Sequence, residues 1–169
     1  ELISFVKLTV IIPIYNEETT CRKLIEKVKS VPIQKQIIVV DDGSTDGSSN
    51  ILKKINGIEL ITHETNRGKG FAVQSAIPHI KGDFVVLQDG DLEYNPVDYK
   101  KMLSFLEADR ADVIFGSRWL DKTLALEYHT VGNHLITWFA NLLTGASITD
   151  MASCYKMMPA NILSSLNIT

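Results

Sequence analysis

Short, continuous apolar runs alternate along this chain with longer stretches in which apolar residues recur every three or four positions. The runs are Lys7–Pro13, Gln36–Val40, Ile58–Thr62, 83–88 and Asp112–Gly116. Each has the length of a strand, and Val and Ile dominate. This predicts strands covered on both faces rather than on one. The stretches between them predict helices. Leu24, Ile25 and Val28 share a face over 17–30, and Ile51, Leu52 and Ile55 share one over 46–55. Further helices are expected over 70–77 and 96–108. Asn16 stands where a helix N-cap is expected, and Glu17 and Glu18 suit the positive end of that helix. Beyond residue 116, Leu135, Trp138, Phe139, Leu142 and Leu143 follow helical spacing. They predict an amphipathic helix whose apolar face packs in the core. One more helix is expected just before Thr169.

Strands alternating with helices imply an α/β fold: one domain over residues 1–169 with a mostly parallel sheet and helices on both faces. In such sheets ligands sit beyond the carboxyl ends of the strands. Asp41-Asp42, Asp89-Gly90-Asp91 and Ser117-Arg118 all fall just past predicted strand ends. Residues i and i+2 of an extended chain point to one side, so Asp89 and Asp91 can share a hard cation such as Mg2+ or Mn2+. Such cations take oxygen ligands and are often completed by substrate phosphates. Taken alone, the triplet reads more readily as a polar turn, since acids and glycine are what turns use.

Composition narrows the function classes. The 169 residues are 45% hydrophobic and 22% charged, as in an ordinary globular domain. A formal net charge of -3 gives no basic face for nucleic acid. Cys21 and Cys154 form neither a disulfide framework nor a metal-ligand spacing, and the four histidines are scattered. No apolar run approaches the length of a membrane span, and no secretory leader is present. These features point to the cytoplasm. Glu1 is not an initiator methionine, so the chain reads as processed or cut.

Six motifs stand in order: residues 10–17 (VIIPIYNE), 40–46 (VDDGSTD), 66–70 (NRGKG), 88–96 (QDGDLEYNP), 116–118 (GSR) and 149–156 (TDMASCYK). Together they resemble family 2 glycosyltransferases of the GT-A fold, in particular the branch of dolichyl- and polyprenyl-phosphate sugar synthases. The resemblance covers about residues 7–158. Relatives continue well beyond residue 169, so the domain is expected to be truncated at its C-terminus.

The resemblance implies an inverting, metal-dependent transfer of a sugar from a UDP- or GDP-sugar to a lipid-linked phosphate at the cytoplasmic face of a membrane, with peripheral membrane contact. It places Pro13, Tyr15, Asn16 and Glu17 at the base pocket and Asp42 on the nucleoside. Gly68 and Gly70 open a helix whose N-terminus favours anions, and Lys69 is the candidate donor-phosphate contact. Asp89, Gly90 and Asp91 would meet the donor diphosphate, with Asp89, Asp91 and Glu93 as the metal ligands. Arg118 would grip the acceptor phosphate, since a guanidinium matches phosphate oxygens bidentately. Lys156 is a second cation of that kind. His134 stands in Gly132-Asn133-His134 where relatives usually carry Gly-Asn-Arg, and a histidine is only partly charged near neutral pH. Asp150 is the candidate base if the acceptor is a hydroxyl. The alternatives are a transferase acting on a saccharide hydroxyl and a nucleotide-sugar-binding module without turnover. A sugar nucleotidyltransferase would need a G-x-G-T-R type loop after the first strand, which is absent, and the nucleotide-type motifs disfavour glycoside hydrolysis.

Overall fold

The structure is a computed structural model that describes residues 7–117 and 130–166. A six-stranded sheet forms its centre. The strands are β1 (Leu8–Ile14), β2 (Lys35–Asp41), β3 (Glu59–Thr62), β4 (Phe84–Leu87), β5 (Ile114–Phe115) and β6 (Lys156–Pro159). Their order across the sheet is β3-β2-β1-β4-β6-β5. β1, β2, β3 and β4 pair in parallel, and β6 runs antiparallel to both β4 and β5. The mostly parallel sheet is as expected, and the four parallel strands lie within a residue or two of the apolar runs.

The alternation of side chains along the strands builds two cores. Val10, Ile12, Val39, Val86 and Met157 face one side, where helices α1 (Cys21–Ser30), α2 (Ser48–Leu52) and α4 (Tyr99–Glu107) cover them. Ile11, Ile38, Val40 and Val85 face the other, beneath α3 (Lys69–Ala76) and α6 (Ala160–Ser165). A strand buried on both faces needs apolar residues at every position, which is why β1 and β2 read as continuous runs. Pro13 is tolerated in β1 because its nitrogen side points towards β4, whose last partner in the ladder is Leu87 opposite Ile11.

Three expectations are corrected. The first helix starts at Cys21 rather than 17, and its N-cap position is Thr20 rather than Asn16. Asn16 to Glu18 are held instead by the loop after β2, as described below. Strand β6 was not anticipated. Its four residues lack the β-branched run that marks the other strands, and backbone pairing with β4 and β5 supplies what propensity does not.

The third correction concerns α5 (Thr130–Thr144). The helix forms as its spacing predicts, but its apolar stripe is not in the core. Leu135, Trp138, Phe139, Leu142 and Leu143 are 52% to 80% exposed. The polar side is the one that docks. Buried Thr137 accepts the Met151 N–H, and Asn141 exchanges two hydrogen bonds with the backbone of Ile148. Periodicity identifies one apolar face but does not say what that face meets. No helix among the described residues is long and apolar enough to cross a membrane.

Candidate active site

Ile14, Asp41, Thr62 and Leu87 end the parallel strands at one edge of the sheet. A cleft of about 330 Å³ opens there, bordered by Pro13, Tyr15, Glu17, Asp42, Asn66, Lys69, Asp89, Gly90 and Asp91. The structure thus brings most of the expected donor-side residues together.

Two loops are clamped to each other at the tip of β1. Asn16 has a positive φ of 56°. Its Oδ1 accepts from the backbone N–H groups of Thr45 and Asp46, and its own N–H donates to Ser44. The Glu17 N–H donates to Ser48, the Glu18 N–H to Asp46, and the Gly47 N–H to Glu18. Asn16 is therefore a cross-brace that fixes the position of Tyr15 and Glu17 at the cleft wall.

Asp42 is 3% exposed and anchors the next loop. Its Oδ1 accepts from His63 Nδ1–H at 2.7 Å and from the Arg67 N–H at 3.1 Å. Its Oδ2 accepts from the Gly68 N–H at 2.8 Å and shares the Arg67 N–H at 3.2 Å. A carboxylate offers about four lone-pair sites, and protein donors already make four contacts with it. Burial pushes the Asp42 pKa up, but the bonds from His63, Arg67 and Gly68 outweigh it and leave the pKa lowered. Gly43 permits this packing: a Cβ there would lie 2.5 Å from the carbonyl carbon of Thr65. His63 was not singled out from sequence, and it is 10% exposed, with Nε2 3.0 Å from the Ser75 hydroxyl. A lone histidine between strand and loop carries no spacing signal.

Lys69 opens α3 and pairs with Asp89 at the end of β4. Burial pulls the Lys69 pKa down, but Asp89 and the Cys154 thiol more than offset it and the net shift is upward. The antiparallel β4–β6 register pairs Leu87 with Lys156. Continued by two residues, it sets Cys154 opposite Asp89. Burial raises the Cys154 pKa, and Asp89 adds to the rise. Lys156 donates to the Ser153 carbonyl, and burial lowers its pKa. Its charge feels Lys69, Asp89 and Asp150. Asp150 itself is 1% exposed.

Asp91 is exposed and accepts the Glu93 N–H at 3.0 Å. The chain turns there through Leu92, whose φ of 68° is in the left-handed region that non-glycine residues seldom enter. Packing holds the turn. Leu92 contacts the main core, Tyr94 stacks on Tyr155 at 4.8 Å, and the Tyr155 hydroxyl donates to the Asn95 carbonyl. Asp89 and Asp91 supply hard oxygen donors at one cleft, which fits Mg2+ or Mn2+. Among the described residues no group of three acids, imidazoles or thiols is placed to hold a metal, so exposed Glu93 does not complete a ligand set here. His134 is exposed on α5 and does not border the cleft. Arg118, expected on the acceptor phosphate, lies outside the described residues.

Comparison with known proteins bears on the family and the fold. The chain is similar to a dodecaprenyl-phosphate galacturonate synthase of Rhizobium johnstonii, at 29% identity over 96% of this chain and 50% of the relative. It is also similar to the low-salt glycan biosynthesis hexosyltransferase Agl6 of Haloferax volcanii, at 32% identity over 86% of this chain and 37% of the relative. It thus spans about half or less of the length of these two proteins. Among solved structures, S. aureus TarS in complex with UDP superposes with a TM-score of 0.59 at 28% identity, over 65% of this chain and 35% of that one. Two others share the fold. Pyrobaculum calidifontis mannosyltransferase PcManGT, in complex with GDP-Man and Mn2+, has a TM-score of 0.61 at 23% identity, over 67% of this chain and 36% of that one. Mycobacterium tuberculosis glucosyl-3-phosphoglycerate synthase, in complex with Mn2+, UDP and glucosyl-3-phosphoglycerate, has a TM-score of 0.73 at 20% identity, over 95% of this chain and 59% of that one. The profile of glycosyl transferase family 2 matches residues 9–166, nearly the whole chain, and the chain belongs to that family.

Proposed function

We propose that this domain transfers a sugar, with inversion at its anomeric carbon, from a UDP- or GDP-sugar to a polyprenyl phosphate such as dolichyl or undecaprenyl phosphate. The observation that carries the reading is the convergence of Asp42, Lys69, Asp89 and Asp91 on one cleft at the carboxyl edge of the sheet. Complexes of TarS with UDP and of PcManGT with GDP-Man and Mn2+ support a nucleotide-sugar donor and a divalent cation. The dodecaprenyl-phosphate relative supports the acceptor.

In this reading Pro13, Tyr15 and Glu17 wall the nucleoside, and Asn16 holds that wall in place. Asp42 acts on the nucleoside chiefly through the 63–68 loop that it anchors. Lys69 meets the diphosphate beside Gly90. Asp89 and Asp91 would hold Mg2+ or Mn2+, with Glu93 next to them on the same turn. A bound divalent cation supplies Lewis-acid stabilisation of the departing nucleoside diphosphate.

An acceptor phosphate oxygen attacks the anomeric carbon opposite the leaving group, and the bond to the diphosphate breaks with its electron pair on the nucleotide. A phosphate monoester is largely ionised at neutral pH, its second pKa being about 6, so no strong base is required. Arg118, His134 and Lys156 would take up the acceptor's charge. The burial of Asp150 supports a phosphate acceptor over a hydroxyl, because a base has to reach the proton that it removes. A lipid-linked acceptor brings the domain to the cytoplasmic face of a membrane, and the exposed apolar side of α5 supports peripheral contact there.

The test is thermal stability with UDP, GDP and their sugars, with and without Mn2+. At a hundredfold excess over Kd a ligand stabilises by about 2.7 kcal/mol. A metal-dependent upward shift with one nucleotide is expected. No shift with any of them would refute the reading.

A further inference from the structure

Asp89 is assigned above to a divalent cation, yet its carboxylate already holds the Lys69 ammonium. The pair is part-buried, with Lys69 41% and Asp89 17% exposed. Lys69 also lies within electrostatic reach of the Lys156 ammonium, which it disfavours. Asp89 faces Cys154 of the neighbouring strand segment, and that thiol is kept neutral by burial. Two ammonium groups, Lys69 and Lys156, therefore bear on Asp89; Asp150 acts on Lys156, and Glu17, Asp42 and Asp91 also border the cleft.

We propose that Lys69 is an exchangeable latch on Asp89: it fills the cation position until a nucleoside diphosphate arrives, and so couples diphosphate binding to metal binding. The proposal rests on the donor-site reading above and adds an order of events to it. Asp89 cannot serve Lys69 and a divalent cation equally well. A cation arriving alone competes with the ammonium for that carboxylate. It would then strand that ammonium, already partly desolvated, beside Lys156 and a new double positive charge. A diphosphate removes the conflict, because its oxygens accept the Lys69 N–H groups that Asp89 releases. Lys69 suits such an exchange: it is the first residue of α3, next to the cleft, on a long flexible stem.

Two features make the arrangement specific. Lys69 follows Gly68, whose φ of 89° aims the chain into the helix after the loop that Asp42 fixes, so the lysine starts from a held position. Strand β6 pairs Lys156 with Leu87, two residues before Asp89, so a second cation stays within electrostatic reach of the released ammonium.

The test is Mn2+ binding measured by calorimetry, or by the electron paramagnetic resonance signal of free Mn2+, on wild type, Lys69→Gln and Lys69→Met. Each protein is titrated alone, with uridine and with saturating UDP or GDP. Wild type should bind Mn2+ alone weakly, uridine should change nothing, and the diphosphate should tighten binding. Both variants should bind Mn2+ alone more tightly than wild type, by about 5- to 150-fold, the ordinary range of coupling between sites. The diphosphate itself chelates Mn2+, but that contribution is common to all three proteins. The gain on adding diphosphate should therefore shrink in both variants by the same factor. Two variants guard against local misfolding, which their melting curves would reveal. If both remain folded and bind Mn2+ alone no more tightly than wild type, the latch is wrong. If wild type binds no Mn2+ even with UDP or GDP, the donor-site reading itself has failed.

Discussion

Replacing Asp42 separates two roles that sequence motifs cannot. If the carboxylate only reads the nucleoside, its removal weakens nucleotide binding and leaves the fold intact. The structure assigns it three protein donors: His63 Nδ1–H and the Arg67 and Gly68 N–H groups. A hydrogen bond to a charged group contributes about 1.5–3 kcal/mol. The full sum is not lost, because Arg67 is exposed and water can replace part of what it loses. His63, at 10% exposure, cannot be rehydrated without opening the loop. Asp42→Ala should therefore cost about 2–4 kcal/mol of stability, or about 5–15 °C in Tm for a domain of this size.

Asp42→Asn keeps the shape but turns an NH2 group towards a donor, and should cost an intermediate amount. The pH dependence is a second readout. The folded pKa of Asp42 lies below the ordinary aspartate value of 3.8. Its contribution to stability is therefore fully present above that value and is lost as pH falls through the lower folded pKa. Urea unfolding carried from about pH 5 down through about pH 3 and below should show a steeper acid loss in wild type than in Asp42→Asn. UDP and GDP affinities should fall by one common factor, because a displaced loop is blind to the base. Variants as stable as wild type that have lost affinity for only one base would refute the anchoring argument.

Four further outcomes follow from the geometry. Asp91→Asn should abolish the metal dependence of nucleoside diphosphate binding with little change in Tm, since the side chain is exposed; unchanged metal-dependent binding would remove Asp91 from the cation site. Tyr155→Phe deletes the bond to the Asn95 carbonyl and should cost about 1 kcal/mol in urea unfolding, with a larger proportional loss in Mn2+-dependent nucleotide affinity because the Asp91 turn loosens. Leu142→Ser and Leu143→Ser should change stability by no more than about 0.5 kcal/mol, where burial in a core would have made each cost several times that. Sedimentation with liposomes should be measurable and should fall in Trp138→Ser without a change in the circular dichroism spectrum.

The α/β class and the four parallel strands were legible because they rest on local signals, and the residues around the cleft because six motifs stand in a family's order. Continuous Val and Ile runs mark strands buried on both faces, and glycine and acidic residues mark the turns that follow. What was not legible depends on partners distant in sequence. Asn16 has the residue type of a helix cap, but its partners are the N–H groups of residues 45 and 46, which pairing of β1 with β2 brings alongside. The stripe on α5 has helical spacing, yet Thr137 and Asn141 on the opposite side provide the docking contacts. His63 gains its place only when β3 lies beside β2.

Strand β6 has the largest consequence for the chemistry. In an all-parallel sheet, the residues that approach Asp89 from the side would lie on another carboxyl edge, far along the chain in a βαβ crossover. An antiparallel neighbour instead delivers the start of its strand to the end of β4, so residues just before β6 meet residues just after β4. Residues 149–156 and 88–96 thereby pack side by side, tied by the Tyr94–Tyr155 stack and by the Tyr94 hydroxyl on Ser153. This explains how Lys156, which read from sequence as an acceptor-side cation, comes to share an electrostatic environment with Lys69 and Asp89 on the donor side. A cation between the two sides can bear on both phosphates of a transfer. Lys156→Gln should therefore weaken nucleoside diphosphate binding and acceptor use together, whereas a purely acceptor-side lysine would leave diphosphate affinity untouched. Calorimetric titration of UDP and GDP into Lys156→Gln in the presence of Mn2+ decides between the two, and unchanged affinity would return Lys156 to the acceptor alone.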